Sequence, residues 1–194
     1  TSVDFNGVDT TNVTTMNGMF NGCSGLTSLD LSGFNSVNVT DMTNMFTGCS
    51  GLYSLDLNAI NVSNVSSLNA MFQGCSNINT FDLSSWNVSN VINMGWLFDG
   101  CTNALTISLR GLNIPDNTVL TSMFDGCIVL SAIIMDDCNV DDINRIVDIL
   151  PERTDGMDYK LKVNMADTSV VNSAFFTCLY VIFTPFIGLF FGRK

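Results

Sequence analysis

The sequence contains no histidine, and Glu152 is its single glutamate among 194 residues. Histidine is the usual general base near neutral pH and the commonest zinc ligand, so its absence argues against most hydrolase mechanisms and most zinc sites. Lys and Arg number 7 against 18 Asp and Glu, and the first cation along the chain is Arg110. So few cations cannot neutralise the phosphate backbone of a nucleic acid, so we expect no nucleic-acid partner.

The chain is rich in apolar residues. Hydrophobic residues make up 46% of it and charged residues 13%, which is too apolar for a disordered chain and enough for one moderate domain. The first residues have neither a basic start nor an apolar stretch, so they show no secretory signal. Because Thr1 already falls within a predicted strand, we expect a signal and an N-terminal capping unit upstream of this chain.

A motif of the form Phe-x-Gly-Cys recurs at a constant spacing along the chain. Its five copies begin at Phe20, Phe46, Phe72, Phe98 and Phe124. Each copy is followed by a short stretch in which apolar and polar residues alternate, as in Leu29-Asp30-Leu31, which predicts a strand. Before each later motif, apolar residues such as Val39, Met42 and Met45 recur at helical spacing, which predicts a short helix.

A single unit of this size cannot bury its apolar side. The pattern therefore predicts an α/β solenoid, a stack of about six strand, turn and short-helix units with a 26-residue period. The sixth unit shows a longer amphipathic helix before Pro151, and a last alternating strand ends at Val163. We assign the solenoid to residues 1–163 and a hydrophobic C-terminal tail to residues 164–194.

The predicted strands place leucine and phenylalanine inward and polar residues outward. Asp4, Asp30, Asp56 and Asp82 would then form an outward line of carboxylates. We interpret them as part of a solvated binding surface, since no folded loop brings together the six to eight oxygens that calcium needs. The candidate ligand-binding residues on this outward strand surface are Ser28, Asp30, Ser54, Asp56, Thr80, Asp82, Thr106, Ser108 and Arg110.

The cysteines of the repeated motif are interpreted as small buried apolar residues in a column. A thiolate nucleophile needs a base or a positive neighbour that lowers its pKa, and the repeats offer neither. A carboxylate pair for glycoside hydrolysis would likewise lie on a flat surface without a cleft. We therefore expect no enzymatic activity, no cofactor and no metal.

The tail contains a run from Ala174 to Phe191 without a charged residue, followed by Arg193 and Lys194. As a helix this run would span about 27 Å, which is just enough for a bilayer. Pro185 and Gly188 interrupt it, so three alternatives stay open. The tail is a membrane anchor that leaves the repeats outside the cell, a segment buried against protein, or an end without a selected role.

The repeated run from Asn38 to Leu57 closely resembles the BspA-like leucine-rich-repeat surface proteins, also known for mycoplasma lipoprotein-type repeats. The resemblance extends over about residues 2–163. It implies a leucine-rich-repeat-like solenoid exposed at a microbial cell surface and used for adhesion to a host or neighbouring-cell protein or glycan. The resemblance carries over no ligand and no contact residue.

The sequence therefore favours a noncatalytic binding and adhesion module displayed at the cell surface. The alternative is a structural or receptor-binding component of a larger assembly, such as a phage attachment protein, whose hydrophobic tail packs against partner subunits. Both hypotheses exclude nucleic acid as a partner.

Overall fold

The computed structural model describes residues 3, 5, 8–151 and 160–162. A 3-10 helix occupies Leu57–Ala59, and one α-helix, α1, occupies Val140–Asp148. The strands have three residues each: β1 is Thr80–Asp82, β2 is Thr106–Ser108, β3 is Ala132–Ile134 and β4 is Lys160–Lys162. They form one parallel sheet in the order β1, β2, β3, β4.

The sheet joins residues at the same place in successive repeats. Phe81 pairs with Ile107, Ile107 with Ile133, and Ile133 with Leu161. The predicted strands around Leu29 and Leu55 are not strands in the structure. At the second of these places Asp56 accepts a hydrogen bond from the Asn58 backbone, and the chain turns into the 3-10 helix instead.

The predicted α/β solenoid of strand, turn and short-helix units is wrong. In the part of the chain that the structure describes, the predicted short helices are turns, and α1 together with the small sheet accounts for nearly all regular structure. The described residues are mostly turns and loops. The repeat period is nevertheless visible in the hydrogen bonds, because segments one period apart lie side by side.

We call these side-by-side segments the turn ladder; they are residues 15–22, 41–48, 67–74, 93–100 and 119–126. In the first four segments every second residue donates its backbone N–H to a backbone carbonyl of the next segment along the chain. Met42, Asn44 and Phe46, for example, donate to Ser67, Asn69 and Met71 over 3.0, 2.9 and 2.9 Å. The same pattern recurs between each neighbouring pair of segments, so backbone groups that a helix would use internally serve to join repeats.

Backbone conformation explains why these segments are not helical. Asn44 has a φ of 58° and Gly48 a φ of 71°, both in the left-handed region. An L-residue there costs about 1–2 kcal/mol, and a helix cannot continue through it. The chain instead forms overlapping turns, in which the N–H of Thr47 donates to the carbonyl of Asn44 over 3.1 Å.

The apolar core runs along the turn ladder. The rings of successive motif phenylalanines are stacked with centroids 5.3 to 5.9 Å apart, in the series Phe20, Phe46, Phe72, Phe98 and Phe124. From Phe46 to Phe124 each ring is fully buried. Offset aromatic pairs add about 0.5–1.5 kcal/mol beyond the area they bury, so this column contributes strongly to holding the repeats together.

Helix α1 is fastened to the fifth repeat by polar contacts. Its N-cap Asn139 accepts a hydrogen bond from the N–H of Asp142 over 2.8 Å. The buried carboxylate of Asp142 accepts from the N–H of Ile114 over 3.0 Å. Arg145 donates to the carbonyls of Ile114 and Thr118 and forms an ion pair with Asp142. The helix also packs against the apolar core, in which Ile143 and Ile146 are buried.

Candidate functional site

The candidate binding surface predicted from the sequence is largely exposed. Six of its residues lie at the surface or are only partly buried, namely Ser28, Asp30, Ser54, Asp56, Thr80 and Asp82. Arg110 is also exposed, and Thr106 is half-buried. Because β1 and β2 are paired in register, Thr80 lies beside Thr106 and Asp82 beside Ser108. We call Asp30, Asp56 and Asp82 the acidic row.

Ser108 was expected to face solvent, and this is wrong: it is 9% exposed. The larger neighbouring side chains explain the difference. Ser108 pairs with Asp82 of β1 on one side and with Ile134 of β3 on the other, and its hydroxyl donates a hydrogen bond to Asp82. Ser108 therefore supports the acidic row and offers little surface to a ligand.

Each carboxylate of the acidic row is held by a turn of the same type. Asp30, Asp56 and Asp82 accept from the backbone N–H two residues later, in Ser32, Asn58 and Ser84, over 2.9, 3.1 and 3.0 Å. Aspartate commonly forms such turns, which fix the direction of its side chain. The repeated aspartate thus has a structural role in addition to its negative charge.

Hydrogen bonding lowers the pKa of two of these carboxylates. The bonds from the Ser32 backbone and side chain lower the pKa of Asp30. Partial burial acts to raise the pKa of Asp82, but the bonds from Ser84 and Ser108 and the charge of Arg110 outweigh burial and lower it. Asp30 and Asp82 are therefore charged at neutral pH.

Positive charge in residues 8–151 is already compensated within the chain. Arg110 forms an ion pair with Asp137 at 3.0 Å, and Arg145 forms one with Asp142 at 3.3 Å. The sequence has no further Lys or Arg between residues 8 and 151. The acidic row consequently lies on a surface with an excess of negative charge, which attracts cationic partners and speeds their encounter.

A second polar surface lies along the turn ladder and was not predicted from the sequence. Asn17 donates to the Asp41 carboxylate over 2.9 Å, the hydroxyls of Thr43 and Ser67 share a hydrogen bond of 2.7 Å, and Asn69 donates to Asn93 over 3.3 Å. These contacts join neighbouring repeats through side chains. In the sequence this surface is indicated by small polar residues that recur at two places of the repeat, as in Asp41 and Thr43 or in Ser67 and Asn69.

The motif cysteines line the core, as expected from the sequence. The thiols of Cys49, Cys75, Cys101 and Cys127 each donate to a phenylalanine carbonyl 29 residues earlier, over 3.0 to 3.2 Å. Burial raises the pKa of Cys49 to about 11 and that of Cys127 to about 12. Thiols with raised pKa values are poor nucleophiles and poor metal ligands, because both roles need the thiolate.

Cys23, in the first motif, is exposed, in contrast to the later motif cysteines. In a Cys178→Ser variant, which removes the one cysteine outside the described residues, we expect Cys23 to react first with a disulfide reagent at pH 8. At that pH a thiol with a pKa near 11 is about one part in a thousand ionised, so the buried cysteines should react only after unfolding. Thiol titration with and without denaturant measures this; fast native reaction of Cys49 would contradict the buried column.

No group of three or more potential metal ligands occurs among the described residues. None of the helices within the described ranges is long and apolar enough to cross a membrane. The predicted anchor, Ala174 to Phe191, lies outside the described residues, as does Asp4.

Comparison with known proteins identifies a family. Residues 14–137, more than half of the chain, match the family described as Mycoplasma protein of unknown function, DUF285. Neither the curated proteins nor the solved structures give a match. The matched region contains the five copies of the Phe-x-Gly-Cys motif and the whole acidic row. The chain belongs to the DUF285 family.

Proposed function

We propose that the chain is a noncatalytic binding and adhesion module of the BspA-like type, displayed at a cell surface. It recognises a protein or glycan of a host or neighbouring cell through the outward polar surface that contains the acidic row. The observation that carries this proposal is the acidic row itself, three carboxylates oriented by the same turn in successive repeats.

A noncatalytic role is supported by the chemistry of the side chains. The sequence has no histidine, and burial raises the pKa values of the motif cysteines, so the described residues offer few groups suited to general acid and base or nucleophilic catalysis. The residues that are repeated and exposed are short hydroxyl and carboxylate side chains, which suit contact with a polar or cationic ligand.

Replacing Asp30, Asp56 and Asp82 together by Asn should weaken the binding of decalysine about tenfold. Three exposed ion pairs worth about 0.5 kcal/mol each would be lost. The fold should persist, because Asn61 already forms the same turn, with its Oδ1 accepting from the N–H of Ser63 over 2.9 Å. Isothermal titration at low salt measures the affinity.

The matched control replaces Asp125, Asp141 and Asp148 by Asn, which changes the net charge equally at exposed positions outside the acidic row. We expect this control to weaken decalysine binding by no more than about twofold, since a general charge effect is screened by salt. Equal weakening in the two triple variants would show that the acidic row is not a binding site.

Display at the cell surface is supported by the sequence of the tail. The full chain should float with lipid vesicles, whereas a Tyr180→Arg, Ile182→Arg double variant should stay at the bottom of the gradient, because each arginine at the centre of a bilayer costs about 2.5 kcal/mol or more. If neither chain floats and the unaltered chain self-associates, the proposal of membrane display is wrong. The assembly-component alternative then gains support.

A further inference from the structure

Three large apolar residues, two in the fourth and fifth segments of the turn ladder and one just before the fourth, occupy places where the other repeats carry small or polar residues. Ile92, Trp96 and Val119 are 52%, 41% and 45% exposed. At the place of Ile92 the other repeats carry Thr14, Thr40, Ser66 and Thr118. At the place of Trp96 they carry Gly18, Asn44, Ala70 and Ser122, and at the place of Val119 they carry Thr15, Asp41, Ser67 and Asn93. We call Ile92, Trp96 and Val119 the apolar patch.

Backbone hydrogen bonds bring the members of the apolar patch onto neighbouring segments. The N–H of Val119 donates to the carbonyl of Ile92 over 3.0 Å, and Val119 is bridged to Asn93. The N–H of Trp96 donates to the carbonyl of Thr121 over 2.9 Å. Large apolar residues that are exposed on neighbouring segments commonly mark a site of interaction.

Trp96 is unfavourable for folding at its place. Its φ is 55°, in the left-handed region that glycine adopts readily, and Gly18 occupies the same place in the first repeat with a φ of 62°. Trp96 nevertheless keeps 41% of its surface exposed. Trp86, by contrast, is buried and donates its Nε1–H to the carbonyl of Leu57 over 3.0 Å. Asn44, Ala70 and Ser122 share the left-handed conformation, so it belongs to the turn ladder, and only the large aromatic side chain distinguishes Trp96.

The charges near the apolar patch are negative. Asp99 lies in the same turn as Trp96, since its N–H donates to the Trp96 carbonyl over 3.1 Å. Asp116 is exposed and lies shortly before Val119 in the chain. The two arginines of residues 8–151 are both ion-paired within the chain. A ligand that combines apolar side chains with cations would complement the patch, and a cation can also lie over the indole ring.

We propose that the apolar patch is a second binding site, which takes a segment of a partner protein that carries aliphatic residues interspersed with Lys or Arg. This inference goes beyond the proposed function, because the patch shares no residue with the acidic row. The aliphatic side chains cover Ile92, Val119 and the indole of Trp96. The cations of the segment face Asp99 and Asp116.

The test uses the full chain and a short amphipathic peptide composed of Leu and Lys. The variant combines Ile92→Ser, Trp96→Gly and Val119→Asn, each residue being the one that another repeat carries at the same place. We expect the dissociation constant of the peptide to rise at least about tenfold. Trp96→Gly alone should weaken the peptide while the denaturation midpoint stays equal or rises, which separates binding from folding.

The matched control combines Tyr53→Thr and Ile128→Ser, which removes two apolar side chains that are 65% and 68% exposed elsewhere on the molecule. Binding of the Leu and Lys peptide to this control should change by no more than about twofold. Unchanged binding to the patch variant would overturn the proposal, and so would equal binding of a peptide composed of Leu and Glu.

The outcome can be separated from that for the acidic row. Decalysine has no aliphatic branch to cover the patch, so the patch variant should bind it as the unaltered chain does. A chain that loses decalysine binding on replacement of the acidic row but keeps tight binding of the Leu and Lys peptide has two sites. If the peptide and decalysine respond only to the acidic row, the second site does not exist.

Discussion

The structure depends on the hydrogen bonds that every second residue of the turn ladder donates to a backbone carbonyl of the next segment. Each such bond contributes about 0.5–1.5 kcal/mol net, and four of them join segments 41–48 and 67–74. In the same segments every fourth residue, such as Asn44 and Gly48, has to adopt a left-handed φ value. The same requirement prevents a helix and leaves turns as the conformation that joins the repeats.

Because the segments are aligned in this register, side chains at the same place in successive repeats lie next to each other. The phenylalanine rings stack in the core, the cysteine thiols donate to phenylalanine carbonyls, and on the outside Asn64 and Asn90 donate to the carbonyls of Val37 and Ser63 over 2.8 and 2.7 Å. The binding proposals use the remaining outward positions. The acidic row repeats one residue type, whereas the apolar patch interrupts the repeat at Trp96 and its neighbours.

The sequence predicts the parts of this arrangement that depend on periodic burial. The repeat period, the buried phenylalanine and cysteine columns and the strand after Asn79 follow from the spacing of apolar residues. The longer helix before Pro151 is confirmed as α1. The short helices of the repeats were wrong because apolar residues at Met42, Met45 and Phe46 fit a helix and a chain of turns equally well. Only the φ values distinguish these two conformations. Gly18 at the left-handed position of the first segment would indicate a turn, but Asn, Ala and Trp at the same place in later segments do not. Ser108 was misplaced because it pairs with larger side chains on both sides, Asp82 and Ile134, and alternation within one strand does not reveal its neighbours on the next.

The most direct test of the turn ladder measures scalar couplings across hydrogen bonds, between amide nitrogens and carbonyl carbons, by NMR. The account predicts that the amide nitrogen of Asn44 couples to the carbonyl carbon of Asn69, and that of Phe46 to the carbonyl of Met71. Coupling from Phe46 to the carbonyl of Met42, one helical turn earlier, would show an α-helix and contradict the account.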